Sequence, residues 1–235
     1  MSKNFNSINF DDYFTRAMVF VGLVILVISV QIPISIIASH KLSNGLNYFL
    51  SLIYILGFTL AAWIAYLAVK RFSAYKPKRL TKNDLKITLT AWVAFFAIEV
   101  VLSRLNVAIF HTQSTANNKI IEGLITKSPL TMILMLTTGV FFSPVLEELT
   151  FRGFLIGAFF KPAQRTLPIL VSGLLFAFPH MEDLNPISFL TYFLMGMILS
   201  YVYLREHNVY ASISLHFLNN LIAMGALVAT VSAGH

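Results

Sequence analysis

Long apolar runs separated by short polar joints dominate this chain. A run of about 20 apolar residues forms a helix long enough to cross roughly 30 Å of hydrocarbon. Strands of a membrane barrel would instead alternate polar and apolar residues, which these runs do not. The sequence therefore predicts an all-α, polytopic transmembrane helical bundle of about seven to eight helices. The predicted spans are 14–38, 47–69, 87–103, 129–160, 166–180, 187–203 and 209–232.

The composition agrees with an integral membrane protein and excludes several kinds of chemistry. Hydrophobic residues make up 57% of the 235 residues, whereas charged residues make up only 11%. The absence of cysteine excludes disulfides, thiolate metal sites and a cysteine nucleophile. Because the chain opens with polar residues and its first apolar run has full length, we expect no cleaved secretory signal. We expect one membrane domain over residues 1–235.

The distribution of basic residues predicts the orientation of the bundle. The formal net charge is +7, and seven of the 17 basic residues cluster in the joint 70–86. Short joints rich in lysine and arginine prefer the cytoplasmic side of a membrane. With that joint inside, twelve basic residues lie on the cytoplasmic side and four lie outside. We therefore expect a cytoplasmic N-terminus, an outside C-terminus, and the lipid bilayer rather than nucleic acid as a partner.

Three polar clusters interrupt the apolar runs. Ionisable side chains at membrane depth are costly, so by default they indicate a functional site. In each cluster two polar or aromatic residues are four positions apart, and residues at i and i+4 share one helical face. Each pair can therefore reach the same neighbour or point into the same cavity. The clusters are Glu147 and Glu148 with Arg152, Phe176 with His180, and His216 with Asn220.

A count along the helices predicts that these clusters lie at similar depth. The joint 161–165 is a predicted cytoplasmic turn centred at Ala163, with Glu147 16 residues before it and His180 17 residues after it. At 1.5 Å per residue, both side chains lie roughly 25 Å of helix from the turn. His216 lies somewhat shallower, and a helix tilt would close that difference. We therefore expect residues that are distant in sequence to meet in one cavity.

The three motifs in this order resemble those of the CPBP family, also called Abi. They are Glu-Glu-x-x-x-Arg at 147–152, Phe-x-x-x-His at 176–180 and His-x-x-x-Asn at 216–220. The family contains CAAX prenyl endopeptidases and bacteriocin-processing or immunity proteins. The resemblance covers a core of about residues 130–225, whereas residues 1–128 match only in being helical and membrane-bound.

The resemblance implies a catalytic role for four residues of these motifs. Glu147 would act with His180 to activate a water that attacks a peptide carbonyl. His216 and Asn220 would stabilise the resulting oxyanion. The chemistry is reasonable because a desolvated carboxylate gains basicity and becomes an effective general base. Hydrogen-bond donors aimed at an oxyanion in a water-poor cavity stabilise it by about a few kcal/mol each. All four positions are intact, so the sequence predicts a competent member of the family.

Three further motif residues are predicted to support the site. By the resemblance, Glu148 and Arg152 orient the site. A structural ion pair that locks two helices is the alternative reading of that pair. Phe176 is expected to pack around His180 and to set its rotamer. Interhelical hydrogen bonding of polar side chains, which stabilises membrane bundles, is the alternative for the catalytic set as a whole.

We predict that no cofactor is required. Glutamate and histidine are competent zinc ligands, and Glu147, His180 and His216 would be the ligands if a metal were present. The sequence lacks His-Glu-x-x-His and a second closely spaced histidine pair, so a metal centre is the lesser alternative.

The remaining polar residues are given no catalytic role from sequence. No Gly-x-Ser-x-Gly occurs, which disfavours Ser143 as a serine nucleophile. Glu99 and Arg104 are expected to snorkel or to pair outside the site. The joint 104–128, rich in asparagine, threonine and serine, is expected to be the most mobile element.

Together these observations predict an intramembrane endopeptidase of a bacterial plasma membrane, with its active site opening toward the cytoplasm. The substrate would be a peptide or membrane-associated polypeptide, such as a leader peptide, a bacteriocin or a peptide pheromone. A prenylated CAAX substrate is the alternative in a host that prenylates. A non-catalytic immunity or binding protein is a second function, and a transporter or proton relay a third, although the halves lack repeat symmetry.

Overall fold

Eight helices fill the part of the chain that the computed structural model describes, residues 10–233. No strand occurs in these residues, so the all-α helical bundle predicted from the sequence is confirmed. The two chain ends, whose sides of the membrane were predicted, lie outside the described residues. The helices are α1 (Phe10–Ser39), α2 (Asn44–Phe72), α3 (Lys82–Phe110), α4 (Ala116–Lys127), α5 (Pro129–Phe159), α6 (Thr166–His180), α7 (Pro186–Glu206) and α8 (Val209–Ala233).

Six of the described helices are long and apolar enough to cross a membrane, namely α1, α2, α3, α5, α7 and α8. The fifth predicted span, α6, is a shorter apolar helix. Its 15 residues, Thr166–His180, extend about 22 Å at 1.5 Å per residue, which is less than the hydrocarbon thickness. It ends in a 3₁₀ turn, Phe178–His180, which contains Pro179. The prediction of seven full spans is therefore corrected to six spans and one shorter helix.

The joint predicted at 104–128 is mostly helical. Helix α3 continues to Phe110, and α4 occupies Ala116–Lys127. Thr115 caps α4, because its hydroxyl accepts a hydrogen bond from the Asn118 backbone amide at 3.2 Å. The buried Ile125 anchors the apolar side of α4. No helix was predicted here because residues that cap a helix were read as residues of a loop. The mobility expected of this segment stays a prediction.

Helix α5 carries the acidic pair and is not a uniform α-helix. Its first π-helical segment is Thr138–Phe142 and its second is Leu149–Ile156, with the α-helical turn Ser143–Glu148 between them. A π-helical turn shifts the backbone hydrogen bonds by one residue, and such turns occur frequently at functional sites. Here side chains of other helices bond to α5 carbonyls. Asn220 donates to Gly139 O at 2.9 Å and Ser172 donates to Phe151 O at 3.0 Å.

A polar network fixes the first π-helical segment against the N-terminal helices. Helix α1 is interrupted at Gln31, two residues before Pro33. The Tyr54 hydroxyl of α2 lies 3.0 Å from Gln31 Oε1 and 2.9 Å from Thr138 Oγ1. These contacts join α1, α2 and α5 at the residue where the π-helical segment begins.

Glycines allow α6 and α7 to approach closely. A Cβ atom on Gly196 would lie 2.8 Å from Gly173 Cα and 3.1 Å from its carbonyl oxygen. Only residues without a side chain fit this crossing. The close approach holds the polar residues of α7 next to those of α5 and α6.

The joints 73–81, 160–165 and 207–208 lie together at one end of the bundle, which we call the basic end. The Tyr75 ring stacks on the His207 ring with centroids 4.8 Å apart, and the Ala74 amide donates to Gly157 O at 2.8 Å. Arg16, near the start of α1, also donates to Ala158 O at this end.

Candidate active site

A cavity of about 620 Å³ is lined by residues of all three polar clusters. It is bounded by α1, α3, α4, α5, α7 and α8 and by the end of α6. The sequence-predicted residues that line it are Glu147, Phe176, His180, His216 and Asn220. Glu148 and Arg152 lie behind this wall and are fully buried.

Glu147 is the point at which the clusters meet. Its Oε2 atom lies 3.9 Å from Nε2 of His180 and 3.9 Å from Nε2 of His216. Its other oxygen, Oε1, accepts a hydrogen bond from the Ser143 hydroxyl one helical turn earlier. The carboxylate is only 8% exposed, so it is largely removed from water. The structure therefore brings Glu147, His180 and His216 together.

The orientation of the His180 ring follows from its neighbours. Nδ1 lies 2.8 Å from the Phe176 carbonyl oxygen. A carbonyl oxygen only accepts hydrogen bonds, so Nδ1 carries a proton and, in the neutral ring, Nε2 presents a lone pair toward Glu147. The ring is held between Phe176 and Tyr192, with centroid distances of 4.6 Å to each.

Glu148 and Arg152 form a fully buried ion pair. Arg152 Nη1 donates to Glu148 Oε1 at 2.6 Å, and neither side chain is exposed. The guanidinium also donates to Gly196 O at 3.0 Å and to Ser200 Oγ at 3.4 Å. A buried charge needs a partner and further hydrogen bonds, and Arg152 has both. The pair thereby ties α5 to α7 directly behind the cavity.

His216 bridges the two acids. Its Nδ1 donates to Glu148 Oε1 at 3.0 Å, while Nε2 faces Glu147. In the neutral ring that arrangement leaves Nε2 without a proton, so His216 can donate to an oxyanion only when both nitrogens are protonated. Asn220 has one amide N–H committed to Gly139 O and a second one free for a ligand. The oxyanion role of these two residues stays a prediction.

Phe176 contacts three members of the site. Its ring lies 4.6 Å from the His180 ring and 5.8 Å from the His216 ring, measured between centroids. The Arg152 guanidinium lies over its face, 4.4 Å from the centroid, which is a cation–π geometry. The side chain is fully buried. The packing beside His180 that was predicted for Phe176 is therefore present, and it extends to His216 and Arg152.

Sequence reasoning missed three residues of the cavity. Ser143 was not predicted to bond to Glu147, although its spacing of four residues from Glu147 could have indicated the hydrogen bond. Glu99 was expected outside the site, but it lines the cavity together with Phe95, one turn earlier on α3. Tyr192, which stacks on His180, has no distinguishing sequence signal because it is one of three tyrosines in an apolar span.

Among the described residues, no group of three or more histidine, aspartate or glutamate side chains has the arrangement of a metal centre. The donors that could hold a metal are those predicted from the sequence, Glu147, His180 and His216. Each histidine directs Nε2 toward Glu147, with Nδ1 already bonded to a protein oxygen.

The cavity extends away from the basic end. Its lining includes Ser35 near the end of α1, Thr115 at the start of α4, Glu182 after α6 and Thr230 near the end of α8. These positions belong to the opposite ends of their helices from the basic joints. Two sequence predictions are therefore incompatible, because the basic joints and the opening of the cavity cannot both face the cytoplasm.

The fold and the cavity define an integral membrane protein of the polytopic helical class, with ionisable side chains inside the bundle. Residues 129–222 match the family model described as type II CAAX prenyl endopeptidase Rce1-like, which is the CPBP or Abi family. The match begins at α5 and covers less than half of the chain. Neither the curated proteins nor the solved structures contain a significant match.

Proposed function

We propose that this protein is an intramembrane endopeptidase that hydrolyses a peptide or a membrane-associated polypeptide with water activated by Glu147 and His180. The observation that carries the proposal is the 3.9 Å distance from Glu147 Oε2 to Nε2 of His180 inside the cavity. Both atoms accept hydrogen bonds. One water that donates to both, at about 2.8 Å each and with an angle of about 90° at its oxygen, would span this distance. The family match supports peptide hydrolysis.

In this mechanism the water oxygen attacks the peptide carbonyl while its proton passes to Glu147. The new C–O bond gives a tetrahedral oxyanion, which the free N–H of Asn220 and a protonated His216 would stabilise. Glu147 then returns the proton to the leaving nitrogen as the C–N bond breaks. Arg152 balances the charge of Glu148, so the cluster does not hold two uncompensated carboxylates.

The proposal requires no metal. If zinc were bound by Glu147, His180 and His216, the same water would be activated by a metal rather than by the carboxylate. Dialysis against a chelator separates the two routes. Activity that persists after dialysis supports the metal-free route, whereas activity that is lost and then restored by zinc contradicts it.

We propose that the basic end faces the cytoplasm of a bacterial plasma membrane, so that the cavity opens on the opposite side. The charge distribution among the joints supports this choice. Because the chain has no cysteine, Ser114→Cys at the cavity and Lys78→Cys at the basic end can each be labelled alone. A membrane-impermeant maleimide applied to intact cells should label only Ser114→Cys. Labelling of Lys78→Cys alone would reverse the orientation.

The proposed substrates are leader peptides, bacteriocins or peptide pheromones, or a prenylated CAAX polypeptide in a host that prenylates. The test uses the purified full chain in nanodiscs with a mixture of such peptides, and products are identified by mass spectrometry. Glu147→Gln and His180→Gln should each lower kcat/KM by about 10² to 10⁴. Glu206→Gln, at the basic end, is the matched control and should retain wild-type activity.

Two further outcomes decide the mechanism and the class. With hydroxylamine present, direct attack by water gives a carboxylate product, whereas an acyl-enzyme would give a hydroxamate. Cleavage at the wild-type rate by Glu147→Gln would contradict the proposal. Peptide binding without cleavage, unchanged in Glu147→Gln, would favour the non-catalytic binding protein.

A further inference from the structure

We propose that Tyr192 of α7 is a positioning residue that joins α4 to the His180 ring, so that occupation of the cavity beside α4 and orientation of His180 are coupled. The proposal rests on the proposed function, because it assigns to His180 a part in water activation. It concerns residues outside the three motifs.

The ring of Tyr192 forms one wall of the His180 position. The two rings stack with centroids 4.6 Å apart and an interplanar angle of 23°. Phe176 covers the other face of the imidazole and also holds its Nδ1 through the backbone carbonyl. Tyr192 is 9% exposed and lines the cavity. Without this ring, the cavity-facing side of the imidazole would be free to move.

The hydroxyl of Tyr192 is bonded to the start of α4. It accepts a hydrogen bond from Asn117 Nδ2 at 3.0 Å and lies 3.1 Å from the Thr115 hydroxyl. Because Asn117 can only donate through Nδ2, the proton of the tyrosine hydroxyl is available for Thr115. Thr115 is also the N-cap of α4. The tyrosine ring therefore stacks on His180, while its hydroxyl is hydrogen-bonded to residues at the start of α4.

Helix α4 forms a wall of the cavity. Thr115 and Asn117 line it together with Ile121 and Leu124, which lie further along the same helix. A peptide in the cavity must therefore lie beside the residues that hold the Tyr192 hydroxyl. If the start of α4 shifts, Tyr192 transmits the displacement to the His180 imidazole. A displacement of about 1 Å at a catalytic group can lower the rate by a factor of about 10².

Two substitutions of Tyr192 separate the ring from the hydroxyl. Tyr192→Leu removes the stacked ring and should lower kcat by about 10- to 100-fold, with a KM within about threefold of wild type. Tyr192→Phe keeps the ring and removes both hydrogen bonds, so it should leave kcat within about threefold and raise KM by about fivefold. Tyr201→Leu, an exposed tyrosine of the same helix, should change neither constant.

Asn117→Ala tests the same link from the side of α4. It should raise KM as Tyr192→Phe does. The KM of the double variant should be no higher than that of Tyr192→Phe alone, because both substitutions remove the same hydrogen bond between Asn117 and Tyr192. Additive effects would show that Asn117 and Tyr192 act separately. A purely structural role of Tyr192 would lower the yield of folded protein without this division between kcat and KM.

A measurement without substrate keeps this proposal distinct from the proposed function. Diethyl pyrocarbonate modifies unprotonated imidazole nitrogens, and mass spectrometry can give the rate at His180 relative to the exposed His40. Tyr192→Leu, which removes the stacked ring, should raise this ratio by at least about threefold, whereas Tyr192→Phe should leave it near the wild-type value. If wild-type protein cleaves no peptide, the proposed function fails, and the labelling ratio still tests the link.

The outcome that overturns the proposal is a wild-type labelling ratio in Tyr192→Leu, or wild-type kcat and KM in that variant. If Tyr192→Leu does not fold, Tyr192→Phe and Asn117→Ala still decide the question. Both retain the buried ring on which the packing depends.

Discussion

Helices α5 and α7 differ from the first three helices in what surrounds them. In the most apolar stretches of α5 and α7, 44% and 56% of residues are buried by protein, compared with 17% to 28% in α1, α2 and α3. Helix α8, which carries His216 and Asn220, resembles the first three helices in this respect, with 22% buried. Leu52, Leu56 and Leu60 of α2 form an exposed apolar stripe suited to lipid. The polar chemistry is therefore enclosed by protein, while the first three helices present most of their surface outward.

The same difference appears in how charges are accommodated. Arg152 on α5 is completely buried and has an ion-pair partner and two further hydrogen bonds. Arg104 on α3 is exposed. Arg152 therefore depends on specific partners, whereas Arg104 lies at the surface of the bundle. This contrast can be tested by matched substitutions in the two regions.

The largest effect is expected for Arg152→Met. The substitution leaves Glu148 buried without its counter-charge, which typically costs about 3–5 kcal/mol. We expect a large fall in the thermal unfolding midpoint and in the yield of monodisperse protein, both measured by size-exclusion chromatography after heating. The double variant Glu148→Gln with Arg152→Met should recover part of the stability, because no unpaired charge remains.

Arg104→Met is the control for the exposed region and should change stability by no more than about 0.5 kcal/mol. Similar losses at both positions would show that the distinction between an enclosed site region and an exposed flank does not govern stability.

An intermediate effect is expected when a methyl group is added to a glycine of each region. On Gly196 the new Cβ would lie 2.8 Å from the α6 backbone, so Gly196→Ala must separate α6 from α7 at a cost of about 1–3 kcal/mol. On Gly22 of α1 it would meet nothing within 4 Å. Gly22→Ala should therefore be neutral or slightly stabilising, by about 0.4–1 kcal/mol. Thermal unfolding of both variants checks the contrast, and equal midpoints would contradict it.

The smallest effect concerns the contact between the two regions at the basic end. Burial lowers the pKa of His207, and the nearby Arg165 and Lys78 lower it further. The unfolded chain, with an ordinary histidine pKa of about 6.5, therefore binds this proton more readily than the folded chain. Stability should then fall as the pH decreases from about 6.5 toward the lower folded pKa. His207 is half-buried, so solvent screens these charges in part and the change should be modest.

His207→Asn is the matched variant for this prediction. His207 has a positive φ of 49°, which asparagine tolerates. Asparagine also does not titrate. The difference in unfolding midpoint between wild type and variant should narrow steadily between pH 7.5 and pH 5. A difference that is constant with pH would show that His207 does not titrate between the two states.

The sequence was sufficient for the features that depend on local periodicity. Glu148 reaches Arg152, and Phe176 lies beside His180, because a spacing of four residues places both members on one helical face. Counting residues from the turn at 161–165 gave the depth at which Glu147 meets His180. These inferences need only the rise of a helix and the position of a turn.

The features that were missed depend on contacts between distant segments. The stacking of Tyr192 on His180 and its bonds to Thr115 follow from how α4 and α7 pack, which a local pattern does not encode. Glu99 was misplaced because its apolar surroundings are equally suited to lipid and to protein. Helix α4 was missed because its polar first turn resembles a loop in composition. The catalytic roles themselves stay predictions.

The two π-helical segments of α5 make the helix around the acids tolerant of a change in length at particular positions. A π-helical turn accommodates one residue more than an α-helical turn, so it acts as a one-residue insertion into a regular helix. Deleting a single residue within 138–142 should therefore restore a regular α-helix and keep the upstream residues in phase with Glu147. A deletion in the α-helical segment 129–137 has no extra residue to remove and would rotate the residues upstream of it by about 100° relative to Glu147.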